Sequence, residues 1–122
     1  MNNGIIQIAG IRDIREARML IAAGVHWLGF PLRLDVHRED MTEAQTAAVV
    51  RAISPAAQAV LITYLARADD LAALCRRTGI RKLQLHGEIA LTQLRRLRAL
   101  DPDLFIVKSL VVGKRDPAGL ET

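Results

Sequence analysis
The residues best suited to chemistry in this chain sit just after short apolar runs. Gln84-Leu85-His86-Gly87 closes one such run and sets an amide two residues from an imidazole. That pair can donate to or accept from a polar ligand, and an imidazole changes charge close to neutral pH. Lys108-Ser109 closes a second run and adds a cation, so Gln84, His86 and Lys108 form a small polar cluster if those run-ends converge. Ala9-Gly10, Gly29-Phe30 and Tyr64-Leu65 close three more runs. The three histidines have neither i, i+4 pairing nor cysteine company, so the pattern offers no zinc site. His26, between Val25 and Trp27, reads as a structural residue facing a helix; His37 and Arg38 read as loop residues.

The elements that must position these groups follow an alternating rhythm. Ile5–Ile8 is a first strand, and a helical stretch runs from Asp13 to Ala23 with Ala17, Leu20 and Ile21 at i, i+3, i+4 spacing. Gly24 suits the left-handed residue after a helix. Val25–Phe30 is a second strand, and a charged loop leads from Pro31 to Met41. Thr42 is a candidate N-cap for a helix over Glu43–Ile53, which Ser54-Pro55 breaks. Ala59–Leu65 is a third strand, and a third helix runs from Asp69 to its stop at Gly79. Ile80–Leu85, the helix Leu91–Leu100 and the strand Leu104–Val107 complete the series. In that last helix Leu91, Leu94, Leu97 and Ala99 or Leu100 mark the expected apolar side.

A strand–helix unit every 20–30 residues, roughly, is the signature of a parallel α/β sheet with outer helices. In such folds ligands bind at the C-terminal ends of the strands, where every run-end above would lie. A glycine-rich dinucleotide fingerprint is missing: Gly10 and Gly24 do not belong to one. A closed (βα)₈ barrel needs about 200–250 residues, and 122 residues supply about half of that.

Composition narrows the class further. With 51% hydrophobic and 25% charged residues the chain can bury a core, which Ala, Leu, Ile and Val must build because aromatics are only 3%. The net charge of +4 would suit an anionic metabolite. It does not point to nucleic acid, because Arg95, Arg96 and Arg98 fall on a solvated helix face and too few aromatics exist for base stacking. The lone Cys75 excludes an internal disulfide and reads as a small hydrophobe at a helix–sheet contact. The N-terminus lacks the pattern of a signal peptide, and no run approaches the ~20 apolar residues of a membrane span. A cytoplasmic, soluble, cofactor-free protein is the expectation.

Five stretches together give the chain a resemblance to the phosphoribosylanthranilate isomerase family. They are Ile8-Ala9-Gly10-Ile11, Glu16-Ala17 followed by Ala23-Gly24, Leu28-Gly29-Phe30, the specific Gln84–Gly87 signature, and Ile106-Val107-Lys108. The resemblance implies the N-terminal half of a (βα)₈ barrel, about four and a half βα units in a single partial domain. It also implies an Amadori rearrangement in tryptophan biosynthesis, which turns an aminoaldose phosphate into an aminoketose phosphate. In the family an aspartate protonates the furanose oxygen to open the ring, and a cysteine ending the first strand takes the C2 proton of the resulting imine. The residues carried over for substrate binding are His86, Gln84, Arg38, Lys108 and Gly10. Arg38 stands one residue out of register in a loop that lacks the family's serine-proline-arginine.

Ala9 occupies the position of the cysteine, and a methyl group cannot take a proton. Gln7 replaces the family's lysine. The aspartate belongs to a sixth strand and the phosphate loops to a seventh and eighth, beyond Thr122. The expectation is therefore no catalytic residue in this chain and no turnover, since a lost general base typically costs ~10²–10⁴ in rate. Two alternatives stand beside it: a non-catalytic binder of a phosphorylated sugar, and a half-barrel that works by pairing. Open parallel edges at the first and fifth strands favour a dimer or a missing second half.

Overall fold
Helix boundaries follow local chemistry. In the computed structural model, which describes residues 4–34 and 41–108, Asp13 caps α1 (Ile14–Ala22) by accepting from the Glu16 N–H. Thr42 caps α2 (Glu43–Ile53) through a reciprocal box: Gln45 N–H donates to Thr42 Oγ1 at 3.0 Å, and Thr42 N–H donates to Gln45 Oε1 at 2.9 Å. The third helix, α3 (Ala68–Thr78), has no side-chain cap at its N-terminus. Its Ala68 N–H instead donates to Gln93 Oε1 at 2.7 Å, a residue of α4 (Leu91–Leu100). Gly24 and Gly79 adopt φ of 98° and 79°, where a side chain would be strained, and each turns the chain towards the next strand.

Between the helices run β1 (Gln7–Ala9), β2 (Trp27–Pro31), β3 (Gln58–Thr63), β4 (Lys82–Leu85) and β5 (Phe105–Lys108). All neighbours pair in parallel, in the order β1-β2-β3-β4-β5. Every strand therefore delivers its C-terminal end to the same rim. The Ala9-Gly10 and Gln84–Gly87 turns share that rim, as the run-end argument requires.

Alternation along the strands divides the sheet into two faces. Leu28, Phe30, Leu61, Leu83 and Leu85 point to the helix side and join Ala17, Val49, Leu71, Leu74, Cys75 and Leu97 in one buried cluster. The other face carries Gln7, Ala9, Trp27, Gly29, Val60, Ile62, Lys82, Gln84, Phe105 and Val107 by register. It is concave: Gln7 on β1 reaches Gln84 on β4 across two intervening strands.

The helices α2 and α4 keep the bounds of the sequence reading, the other elements shift by one to two residues, and two expectations need correction. The apolar side of α4 is narrower than its spacing suggests. Leu97 is buried and Leu94 half-buried, while Leu91 and Leu100 are 58% and 45% exposed. His26 does not face a helix. It is exposed at the opposite rim, where its Nδ1 accepts from the Ile6 N–H at 3.0 Å and pins the start of β1 to β2.

Candidate functional site
A line of three side chains crosses the concave face from the start of β1 to the C-terminal end of β4. Gln7 Nε2 donates to Gln84 Oε1 at 3.0 Å, and Gln84 Nε2 lies 3.2 Å from His86 Nε2. His86 is fixed from two further directions. Its backbone N–H donates to the Thr63 carbonyl at 3.0 Å, and its ring lies 5.9 Å from that of Tyr64 at a tilt of 50°. Gly87 makes this approach possible, because a Cβ there would stand 3.1 Å from the Tyr64 carbonyl oxygen and 3.2 Å from its Cδ1.

The neighbouring end of β2 is held by charge. Arg33, at a positive φ of 56°, pairs with Glu43 at the start of α2, and Arg77 of α3 joins the same carboxylate at 3.3 Å. The hydrogen bond from Arg33 holds the Glu43 carboxyl below its ordinary pKa, against a smaller opposing effect of burial. The Arg33 carbonyl in turn accepts from the Tyr64 N–H and from the buried Thr63 hydroxyl. The β2 and β3 ends thus behave as one unit beneath His86.

Position 9 faces this same concavity and brings no proton acceptor. Its methyl group packs beside Gly29, where a Cβ would come within 3.1 Å of Ala9 Cβ and 2.7 Å of Ile62 Cδ1. The backbone there is regular: Gly10, at φ 86°, donates its N–H to the Gly29 carbonyl at 3.1 Å. Deeper in the concavity, Lys82 Nζ sits 4.8 Å from the Trp27 ring centroid and 4.3 Å from that of Phe105. The two rings meet edge to face at 6.0 Å. This cation–aromatic group forms the floor of the concave face.

Of the residues expected at the mouth, Gln84, His86 and Gly10 share the rim, and His86 and Gln84 touch. Lys108 corrects the expectation that it faces the mouth. It pairs with Leu85 and Leu85 with Thr63, so it extends from the helix side of the sheet, opposite to Gln84. Arg38 and His37 lie outside the described residues. Cys75 is buried in α3 against the sheet, and desolvation pushes its thiol up to about 11, which keeps it protonated and unreactive. Two of the exposed α4 arginines are engaged: Arg96 pairs with Asp69 at 3.0 Å, and Arg98 donates to the Pro102 and Leu104 carbonyls. In the sequence Gln7 stands out only as a substitution. Its parity with Gln84, as a lone amide in an apolar strand, is the signal that could have paired them.

One recess among the described residues lies away from this rim. A recess of about 440 Å³ lined by Ser54, Pro55, Gln58, Arg81, Lys82 and Asp103 opens at the N-terminal rim, under the opposite ends of the strands. It is a gap between helix ends and strand starts, without a convergent set of polar groups; Arg81 is already closed on Asp101 at 2.6 Å. Among the described residues there is no group of three or more His, Cys, Asp or Glu able to hold a metal ion, and no helix is long and apolar enough to cross a membrane.

Comparison with known proteins places this architecture. The chain is 27% identical over 108 residues to N-(5'-phosphoribosyl)anthranilate isomerase 2 of Methanosarcina mazei, covering 88% of this chain and 48% of that relative. The crystal structure of phosphoribosyl anthranilate isomerase from Thermus thermophilus superposes with a TM-score of 0.78 at 21% identity, over 93% of this chain and 56% of that one. The chain resembles the phosphoribosylanthranilate isomerases. It spans about half the length of these relatives, and the five parallel strands and four helices among its described residues match about half of their barrel. A further phosphoribosyl anthranilate isomerase structure, with TM-score 0.74 and 15% identity over 85% of this chain and 52% of that one, was solved with reduced 1-(o-carboxyphenylamino)-1-deoxyribulose 5-phosphate. No protein-family profile matches the chain.

Proposed function
We propose that this chain forms one wall of a phosphoribosylanthranilate isomerase-like mouth, which holds the aromatic end of a phosphorylated aminosugar. We also propose that by itself it does not catalyse the Amadori rearrangement. The observation that carries this reading is the Gln7–Gln84–His86 line on the same concave face as the Ala9 methyl group. The line offers polar groups of fixed direction to a ligand, and position 9 offers nothing to take the C2 proton. The Gln84–Gly87 signature and the likeness to isomerases, one solved with an aminoketose phosphate analogue, supply the substrate class. Gln84, His86 and Gly10 are the binding residues of this reading, and Arg38 joins them by resemblance alone. A cytoplasmic setting accords with a biosynthetic enzyme of this kind.

The working unit in this reading is a closed barrel in which these five strands are one part. Ile6 and Ile8 near one edge are 49% and 38% exposed, and Phe105 and Val107 on the other are 46% and 38% exposed. Closure, by further strands or by a second copy, would cover both edges. Turnover is tested by following the fluorescence of the phosphoribosylated aromatic amine in the presence of the purified chain. No conversion is expected; isomerisation by the chain with Ala9 in place would overturn the reading.

A further inference from the structure
We propose that the wall that closes this sheet into a barrel carries a carboxylate facing Lys82, and that a second, unaltered copy of the chain is not that wall. The inference rests on the closed barrel proposed above. None of the five strands contains an aspartate or glutamate, so no strand contributes a carboxylate to the concave face. Lys82 stands half-buried on that face at the start of β4, its Nζ 4.8 Å from the Trp27 ring centroid and 4.3 Å from that of Phe105. Among the described residues it makes no ion pair. Asp103 lines the recess below, but it is exposed on the turn before β5 and stays out of ion-pair range.

In an open sheet, water solvates the ammonium group beside its two rings. The interior of a closed parallel barrel is filled by layers of side chains and leaves little room for that water. A cation–aromatic contact offsets only part of the cost of drying an ammonium group, so the opposite wall must bring a counter-charge to the same layer. A second copy brings the wrong one. Parallel strands run on from copy to copy only about a two-fold axis that lies along the barrel. That operation sets the two Lys82 side chains at one height on opposite walls, both pointing inward. Like charges so placed oppose association, whereas an aspartate or glutamate in that layer turns the same geometry into an attraction.

The test uses the full chain and its Lys82→Glu variant, a wall of the same shape with the opposite charge in that layer. Sedimentation velocity reads the mass. Trp27, the one tryptophan of the chain, reads the face, because its emission moves to the blue when the floor is covered. Wild type alone and Lys82→Glu alone are expected to stay monomeric. Their equimolar mixture should form a one-to-one complex, blue-shifted and roughly a hundredfold tighter than either chain with itself. Lys82→Met keeps the stem and drops the charge, and it covers the case in which Lys82→Glu fails to fold. It should self-associate about tenfold more tightly than wild type. Three results would overturn the proposal: wild type that pairs with itself as tightly as the mixture does, a mixture without a blue-shifted complex, or Lys82→Met that associates no better than wild type. Titration of wild type with the reduced aminoketose phosphate reads Gln84–Gly87 separately. Binding there without association in the mixture counts against the carboxylate and leaves the ligand class standing; association without binding does the reverse.

Discussion

The two faces of this sheet are built from the same strands yet obey different rules. On the helix side, Leu28, Leu61, Leu83 and Leu85 are at 0% exposure, and each is covered by helices that the chain itself provides. On the concave side, Gln7 and Gln84 hydrogen-bond each other, Lys82 rests on two aromatic rings, and Phe105 and Val107 remain exposed. The helix face is covered over β2, β3 and β4 and supplies the stability of the unit, while Ile8 at its β1 edge is exposed. The concave face holds the chemistry, and its two edges lack cover. A parallel sheet is ordinarily buried on both sides, so the unequal faces mark which side a closing partner must reach.

This contrast is open to attack by mutation. The largest effect is expected from Leu61→Ala, which empties a buried site among α2, α3 and the sheet and should cost about 2–5 kcal/mol. Val107→Ala on the concave face should change stability by under about 0.5 kcal/mol. Urea unfolding of the two variants measures both, and similar losses would erase the distinction between the faces. Next in size is Gly29→Ala. Its new methyl would meet Ile62 Cδ1 at 2.7 Å and Ala9 Cβ at 3.1 Å, so a loss of about 1–3 kcal/mol is expected. Ile62→Val removes that Cδ1 and should recover part of the loss in the double variant. Full additivity would mean that the two side chains do not share the concavity.

The smallest effect concerns the charges that tie the elements together. Hydrogen bonds from Arg33 and Arg81 hold the Glu43 and Asp101 carboxyls below their ordinary values. A depressed carboxyl stabilises the fold fully above its unfolded pKa, about 4. That contribution is lost as the pH falls from there through the lowered folded value. Stability should therefore decline below about pH 5, and Asp101→Asn should flatten the slope. Both pairs reach solvent, so the change is small and weaker in salt. A slope unaffected by Asp101→Asn would show that the pair with Arg81 contributes nothing.

The sequence made local features plain and left long-range ones hidden. Thr42 with Gln45, and Gly24 and Gly79 at helix ends, are read within four residues of the element they bound, so α2 was placed to the residue. The parallel order followed from the strand–helix rhythm, because right-handed crossovers leave few alternatives. The site was legible only in part. Gln84–Gly87 stood out as a motif, but its partner Gln7 is 77 residues away and meets it only through the curvature of four strands. Lys108 was misplaced because its strand runs one residue further than expected, and in a strand one residue exchanges the two faces. The exposed Leu91 and Leu100 show that helical spacing marks a possible apolar stripe, while its width depends on what lies opposite.

The most direct test of this account is a titration of the chain with reduced 1-(o-carboxyphenylamino)-1-deoxyribulose 5-phosphate, followed through the backbone amide resonances. Shifts confined to Gly10, Tyr64 and Gln84–Gly87, and lost in His86→Ala, are the predicted result. Shifts centred on Ser54, Arg81 and Asp103, the lining of the recess at the other rim, would contradict it.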